Sequence, residues 1–314
     1  MRAPAEARRS LHVLRAEFAA ADYAETVNYS FVAAAWEHDF AGNDNPVRLL
    51  NPIASQMNVM RSTLAGSLVA NVVYNVNRKL DRVRLFEIGK VYVRDKNVVD
   101  GPLTVAGIRQ TLRAGAIAYG NAVNEQWGVK PPRGVDFFDL KRDLENLLAP
   151  AVASFVAAPH PALHPGRAAR IVVDGRDVGW IGELHPRHQQ KAELPRPAAL
   201  FELDAEVLTN IGVPRVGEVS KFPAVTRDIA LVVAEEVSAG AMLDTLREAG
   251  GRRLSGAELF DLYRGKGVPE SKKSLAFRLV MQDTEKTLTD SEVDAERGRL
   301  VQILADRFGA TLRG

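Results

Sequence analysis

Apolar residues recur at helical spacing in three places in the first two thirds of the chain. After Ser10, a residue type that favours the N-cap, the apolar positions Leu11, Leu14 and Phe18 predict a helix that ends near Asp22. Two further apolar stripes predict helices over 61–79 and 139–148.

Strands are predicted where apolar and polar residues alternate or where β-branched and aromatic residues cluster. These runs cover 26–32, 83–93, 110–120, 169–173 and 178–184. Asp174-Gly175 lies between the last two runs and is typical of a hairpin turn. Pro131-Pro132 marks a loop over 128–134. Strands interleaved with helices and a hairpin predict a mixed α+β domain built on an antiparallel sheet.

The last third of the chain has a more regular pattern. A strand over 227–234 is followed by a helix that begins after Ser238 and by strands over 254–263 and 274–282. Thr289 and Glu292 form a capping-box pair that opens a helix to Phe308, and 310–312 predict a short edge strand. The order β-α-β-β-α-β is that of a ferredoxin-like split βαβ unit.

Composition narrows the possible classes. The chain has no cysteine, which excludes disulfides, thiolate zinc sites and a cysteine nucleophile. No run of 18 apolar residues occurs, so we expect no membrane span and a cytoplasmic location. The net charge of +2 is too small to indicate a nucleic-acid partner, so any such indication must be local.

One local charge cluster stands out. Seven basic and three acidic residues lie between Arg252 and Arg278, whereas 221–314 as a whole contain 15 of each. Lysine and arginine suit phosphates, the glycines permit close backbone approach, and Tyr263 offers a ring for base stacking. The pattern favours RNA binding, but a solvated hairpin that simply carries charges remains the alternative.

The residues predict no catalytic group and no metal site. His160 with His164, and His185 with His188, have chelating spacings, but prolines interrupt both pairs, so neither lies on a regular helix. Glu183 is a possible oxygen ligand near them. No phosphate-binding GxxxxGK[ST] loop and no GxSxG nucleophile motif occurs.

Eight segments in order resemble the β subunit of bacterial phenylalanyl-tRNA synthetases. They are ETVNYSFV (25–32), NPIASQMNVMRSTL (51–64), RLFEIGKVY (84–92), DFFDLKRDLENLL (136–148), HPALHPGRAA (160–169), FPAVTRDIALVV (222–233), LFDLYRGKGVPESKKSLAFRL (259–279) and QDTEKTLTD (282–290).

The resemblance implies two modules joined by a linker over 211–220. Residues 1–210 correspond to a catalytic-like module, a class II synthetase fold that has lost its active site. In agreement, Arg84 and Glu87 are spaced one residue too far apart for the class II arginine–glutamate signature, and no GxGxxR occurs. Residues 221–314 correspond to a ferredoxin-fold anticodon-binding domain. Asp22 replaces a usual glycine at the end of the first helix, where aspartate tolerates the left-handed conformation.

The resemblance also implies partners. These are the catalytic α subunit in an α2β2 assembly and tRNA-Phe, with no membrane and no DNA. ATP and Mg²⁺ are expected to serve the complete enzyme and not to bind this chain. The apolar stripe of 61–79 is the candidate α contact, with intramolecular core as the alternative. The predicted RNA-binding residues are Phe222, Arg227, Asp261, Tyr263, Arg264, Lys266, Lys272, Lys273 and Arg278.

Other interpretations remain open. The family's OB-fold, editing and magnesium-binding modules have no counterpart in these residues, so we expect a shortened chain without editing of Tyr-tRNA-Phe. A stand-alone RNA-binding or regulatory module, and a histidine-dependent hydrolase or metalloenzyme, are the alternative functions.

Overall fold

A computed structural model describes residues 8–128, 133–210, 212 and 218–313. Most of the predicted 211–220 linker and the Pro131-Pro132 pair lie outside the described residues. Contacts between Cα atoms divide the chain into two units, 1–214 and 215–314, and each unit is described by itself. None of the described helices is long and apolar enough to cross a membrane.

Among the described residues of the first unit, side chains cap three helix starts, at Ser10, Asp136 and His185. Ser10 accepts a hydrogen bond from the Val13 amide and opens the first helix, as predicted, and Asp22 after it has a φ of 69°. The helices are α1 (Leu11–Ala20), α2 (Ala34–Trp36), which continues into a π-helical turn (Glu37–Ala41), α3 (Ala65–Val76), α4 (Phe137–Leu148), α5 (Pro186–Lys191) and α6 (Ala205–Thr209).

Seven strands form one sheet within the described residues of the first unit, in the order β1-β4-β5-β9-β8-β7-β6. β1 is parallel to β4, and the other neighbours are antiparallel. A separate short pair is β2 with β3. The strands are β1 (Ala24–Glu25), β2 (Phe31–Val32), β3 (Val59–Met60), β4 (Val83–Arg94), β5 (Ile108–Tyr119), β6 (Ala153–Ala157), β7 (Leu163–Val173), β8 (Arg176–Leu184) and β9 (Ala198–Asp204).

Helices cover both faces of this sheet. Phe18 of α1 stacks on Phe86 of β4 at 4.3 Å between ring centroids, in a core that α4 and α6 complete. On the other face, Leu64, Leu68 and Val72 are buried in a second core. The apolar stripe of α3 is therefore intramolecular, and the prediction that it contacts another subunit is wrong.

Two parts of the strand prediction also differ from the structure. The run 26–32 is a strand only at Phe31–Val32, and Val27 within it is 91% exposed. The sequence pattern does not predict β6 and β9. β9 lies between β5 and β8 with most of its residues buried on both sides, so it lacks the alternation that identifies a half-buried strand.

The second unit has the predicted order. Its elements are β10 (Val225–Ala234), α7 (Ala239–Gly250), β11 (Leu254–Tyr263), β12 (Lys272–Met281), α8 (Asp290–Phe308) and β13 (Thr311–Leu312). The described strands form an antiparallel sheet in the order β11-β12-β10-β13, which confirms the ferredoxin-like arrangement. The Thr289–Glu292 capping box opens α8, and Gly309 closes it in the left-handed conformation.

Candidate nucleic-acid interface

The two faces of the second sheet differ in what covers them. Ile229, Leu231 and Phe277 share a core with Met242 of α7 and Leu300 of α8, so both helices pack on that face. Alternate residues point to the opposite face because successive side chains of a strand alternate. That opposite face is the candidate interface, and we call it the open face.

Strand register arranges the open face in three levels across the sheet. Asp228 of β10 is paired with Arg278 of β12, and Arg278 with Glu258 of β11. The next level contains Ala230, Ala276 and Asp261, and the third contains Val232, Ser274 and Tyr263. Residues two apart on a strand are about 6.6 Å apart. The small side chains of Ala230 and Ala276 therefore lie in the middle level. The charged pair Asp228–Arg278 lies at one end of the three levels, and Tyr263 lies at the other.

Arg278 joins an aromatic ring to a carboxylate. Its Nε and Nη2 atoms donate to the two oxygens of Asp228, both at 3.0 Å. These hydrogen bonds hold the pKa of Asp228 below its usual range. The guanidinium also lies 5.0 Å from the ring centroid of Phe260, a side chain that is half exposed. The result is a flat cation–aromatic pair on the surface.

Tyr263 forms a second pair of this kind. The Arg313 guanidinium lies 4.5 Å from the centroid of its ring. The Tyr263 hydroxyl donates to the Lys266 carbonyl at 3.2 Å, and Gly265 packs against the same ring. The ring is thus tied to the loop that follows β11.

That loop, 264–271, and the first two residues of β12 carry four of the basic residues that the sequence singled out. Lys266 and Lys272 are exposed and form no ion pair with any of the described residues. Arg264 makes an ion pair with Glu235, whereas Lys273 is buried and donates its Nζ to the Glu235 carbonyl at 2.6 Å. Of these four basic side chains, Lys266 in the loop and Lys272 at the start of β12 are therefore the two that are exposed without an ion partner among the described residues.

Two of the predicted RNA-binding residues lie away from the open face. Arg227 has the parity of the helix-covered face and pairs with Asp290 at the start of α8 at 2.8 Å. Phe222 precedes β10, and its carbonyl accepts a hydrogen bond from Gln282 at 2.7 Å. The structure does not bring either residue together with Tyr263.

In the first unit, Arg84 and Glu87, which approximate the class II arginine–glutamate signature, form ion pairs inside the fold. Arg84 donates to Asp143 at 2.7 Å and to the Ala122 carbonyl, with its side chain only 5% exposed. Glu87 pairs with the buried Arg61 at 2.7 Å and also accepts from Asn28.

Arg61, Ser62 and Thr63 each bond a different buried glutamate. Arg61 pairs with Glu87, the Ser62 amide donates to Glu37 at 2.9 Å, and the Thr63 hydroxyl donates to Glu202 at 2.6 Å. Burial raises the pKa of Glu202, an effect that Arg113 opposes. This network connects the chain before α3 to the π-helical turn, β4 and β9.

The histidines serve local structure. The Nδ1 atoms of His160, His164 and His185 accept hydrogen bonds from nearby backbone amides, and Glu183 pairs with Arg167 at 2.6 Å. Across the described ranges, no group of three or more His, Asp or Glu residues is arranged to hold a metal ion.

Comparison with known proteins connects both units to one family. A family model for the phenylalanyl-tRNA synthetase β-chain CLM domain matches residues 1–205, and one for a ferredoxin-fold anticodon-binding domain matches residues 220–313. Over its whole length the chain is 54% identical to the phenylalanine–tRNA ligase β subunit of Ralstonia nicotianae and 55% identical to that of Burkholderia lata. The chain belongs to the phenylalanine–tRNA ligase β-subunit family.

The resemblance drawn from the eight sequence segments is thereby confirmed. The chain spans 40% of the length of each of these two β subunits. Among solved structures, a pyrrolysyl-tRNA synthetase from Desulfitobacterium hafniense has a TM-score of 0.42 and 13% identity, covering 64% of this chain and 66% of that one.

The sequence pattern of this β-subunit family member does not identify three residues of the open face and its loop. Phe260 lies two residues after Glu258, so alternation places it on the open face, where it contacts Arg278. The register shift between Leu259 and Asp261 is what brings Asp261 and Tyr263 to the same face. Arg313 reaches Tyr263 from the far end of the chain. Glu235 has the sequence pattern of an ordinary surface carboxylate. Alternation from Glu258 is the available signal for Phe260, whereas the shift that places Asp261 and Tyr263 has no sequence signature.

Proposed function

We propose that this chain is the non-catalytic, tRNA-contacting portion of a phenylalanine–tRNA ligase β subunit, and that its second unit binds the anticodon region of tRNA-Phe. One observation carries the proposal. The open face has two aromatic–arginine pairs, Phe260 with Arg278 and Tyr263 with Arg313, and beside them two exposed lysines, Lys266 in the loop 264–271 and Lys272 at the start of β12. This face belongs to the unit that matches the anticodon-binding family model.

The chemistry of the open face suits unpaired nucleotides. Unstacked bases stack on aromatic rings and on the flat guanidinium of arginine, while lysines neutralise phosphates. Asp261 lies between the two pairs, where its carboxylate can accept a hydrogen bond from an exocyclic amino group of a base. Lys266 and Lys272 lie at the edge, where a backbone phosphate can reach them. Arg264 and Lys273 contact Glu235 beside this surface, whereas Phe222 and Arg227 are not assigned to it.

The first unit is proposed to dock the catalytic α subunit in the cytoplasm. Arg84 and Glu87 are occupied by internal partners, which supports a module that leaves ATP and Mg²⁺ to the complete enzyme. The segments around β2 and β3 carry exposed apolar side chains, including Tyr29 at 65%, Leu50 at 98% and Ile53 at 75%. Such groups are typical of surfaces that another subunit covers.

Filter binding of a tRNA-Phe transcript tests the RNA half of the proposal. Because both lysines are exposed, Lys266→Ala with Lys272→Ala should leave folding intact and weaken binding. The slope of log K against log salt should become shallower by about 0.7–0.9 for each phosphate that is no longer neutralised. Arg247→Ala is the matched control, since it removes an exposed basic residue of α7 on the other side of the sheet. Equal affinity and slope for the lysine variant and the wild-type chain would refute the assignment.

Co-elution with a bacterial α subunit tests the docking half. Ile53→Asp should abolish co-elution, whereas Leu103→Asp, which changes an equally exposed apolar residue outside β2 and β3, should preserve it. A wild-type chain that binds the transcript but never co-elutes with α would favour the stand-alone RNA-binding module instead.

A further inference from the structure

Glu235, the residue that follows β10, contacts both ends of the basic loop 264–271. Its carboxylate accepts from Nε of Arg264 at 3.1 and 3.2 Å and from Nη2 of the same residue. Its amide donates to the Ser271 carbonyl at 3.0 Å, and its own carbonyl accepts from Lys273 Nζ at 2.6 Å. Arg264 begins the loop and Ser271 ends it, so one residue connects the two ends.

The loop needs such a connection because its backbone is intrinsically free. Gly265, Gly267 and Ser271 have φ values of 145°, 90° and 60°, and glycines lose more conformational entropy on ordering than other residues. Within the loop, two backbone hydrogen bonds close single turns, from Val268 to Gly265 and from Lys272 to Pro269. The Tyr263 hydroxyl ties Lys266 to the end of β11, and the second turn ends on β12, whereas Glu235 joins both ends of the loop to the end of β10.

We infer that Glu235 is a positioning residue that orders the basic loop for RNA, an inference that rests on the function proposed above. Its carboxylate fixes Arg264, and its backbone fixes Ser271 and Lys273, so that Lys266 and Lys272 are presented to phosphates without a large ordering cost. Binding groups that are held in place before the partner arrives lose less entropy on association.

Neutralising Glu235 should change RNA affinity in the direction opposite to that expected from charge alone. An acidic residue beside a phosphate site should weaken binding, so neutralising it should strengthen binding if charge alone acts. A positioning role predicts the reverse. Glu236 provides the matched control, because it is the adjacent exposed carboxylate and forms no ion pair with any described residue.

The experiment compares Glu235→Gln with Glu236→Gln in the intact chain. In the free protein, amide hydrogen exchange over 264–271 should accelerate in Glu235→Gln alone, with an unchanged unfolding midpoint. Affinity for the tRNA-Phe transcript should fall roughly 2- to 10-fold in Glu235→Gln, whereas Glu236→Gln should bind as tightly as the wild type or up to about 2-fold more tightly.

Three results would overturn the inference. They are equal or tighter binding by Glu235→Gln, unchanged exchange over 264–271, or a comparable loss of affinity in Glu236→Gln. A wild-type chain that does not bind the transcript at all would instead reject the proposed function. The exchange comparison would then still show whether Glu235 orders the loop.

Discussion

Each unit contains an arginine–carboxylate ion pair, and the two pairs lie in opposite environments. In the first unit, Arg61 and Glu87 form an ion pair in which the side chains are 2% and 4% exposed. In the second unit, Arg278 and Asp228 form an ion pair in which they are 47% and 46% exposed. A buried pair cannot exchange its partner for a ligand without leaving a charge unpaired, whereas a surface pair can.

The exposure of a charged side chain indicates whether it serves the fold or can bind a partner better than its residue type does. Arg61, Ser62 and Thr63 are polar or charged residues, but their donor groups bond Glu87, Glu37 and Glu202 inside the fold. Among the basic residues that the sequence of the second unit singled out, Lys266 and Lys272 are exposed and accessible to a partner. Burial, and not the presence of charge, decides which group can reach a partner.

The largest expected effect comes from breaking the buried pair. Arg61→Met leaves Glu87 buried without its main partner, and we expect the first unit to lose about 3–5 kcal/mol of unfolding free energy. Urea unfolding followed by tryptophan fluorescence measures this, because all three tryptophans lie in the first unit. Arg109→Met, at an exposed residue of the same unit, is the control. A decrease of less than about 1 kcal/mol, the range of a surface pair, would remove the contrast between the two units.

The next largest effect is expected on the stability of the first unit, which should depend on pH through His160. Burial, with a contribution from Arg113, lowers the pKa of His160 to about 4, and its ring stacks on Trp180 at 4.3 Å between centroids. Between pH 6.5 and 4 the unfolded chain binds more protons at this residue, so stability falls as the pH falls, by up to about 3 kcal/mol.

Comparison with His160→Gln isolates this contribution. Unfolding midpoints at about pH 7 and about pH 4.5, on either side of the ordinary histidine pKa, should differ less in the variant than in the wild type. An equal pH dependence in both proteins would show that other groups cause it.

A smaller loss of unfolding free energy should follow from adding a methyl group beside the buried Arg61–Glu87 pair. A methyl group at Gly89 would collide with Nη2 of Arg61, which has no room to move because it is buried. We expect Gly89→Ala to cost about 1–3 kcal/mol in the same urea assay. Gly166→Ala, where the added methyl meets only ordinary contacts, should be close to neutral. Equal midpoints for the two variants would mean that the Arg61 site can relax.

The smallest effect on stability is expected at the surface pair of the second unit. Arg278→Ala removes a partner that water can replace, so the thermal midpoint should not change measurably, although affinity for the tRNA-Phe transcript should fall. Circular dichroism and filter binding report the two quantities separately. A large drop in the midpoint would place Arg278 with Arg61 as a structural residue.

The accuracy of the sequence predictions follows the strength of local signals. Ser10, Ser238 and the Thr289–Glu292 box are each confirmed as helix starts, because capping depends on residues within one turn of the chain. β9 escapes prediction because a strand buried on both faces has no alternation. The run 26–32 is overpredicted because some of its apolar residues, such as Val27, face outward.

The sequence by itself determined the order of elements in the second unit and the membership of the family, since both depend on local patterns and ordered segments. The tertiary structure alone decided which charged residues are accessible. The register shift in β11 is the clearest case. Strict alternation from Glu258 would keep Phe260 on the open face but would place Asp261 and Tyr263 on the helix-covered face. The extra residue instead places them opposite Ala276 and Ser274, on the same open face as Phe260. Such a shift depends on the pairing of β11 with β12, which no single segment of the sequence encodes.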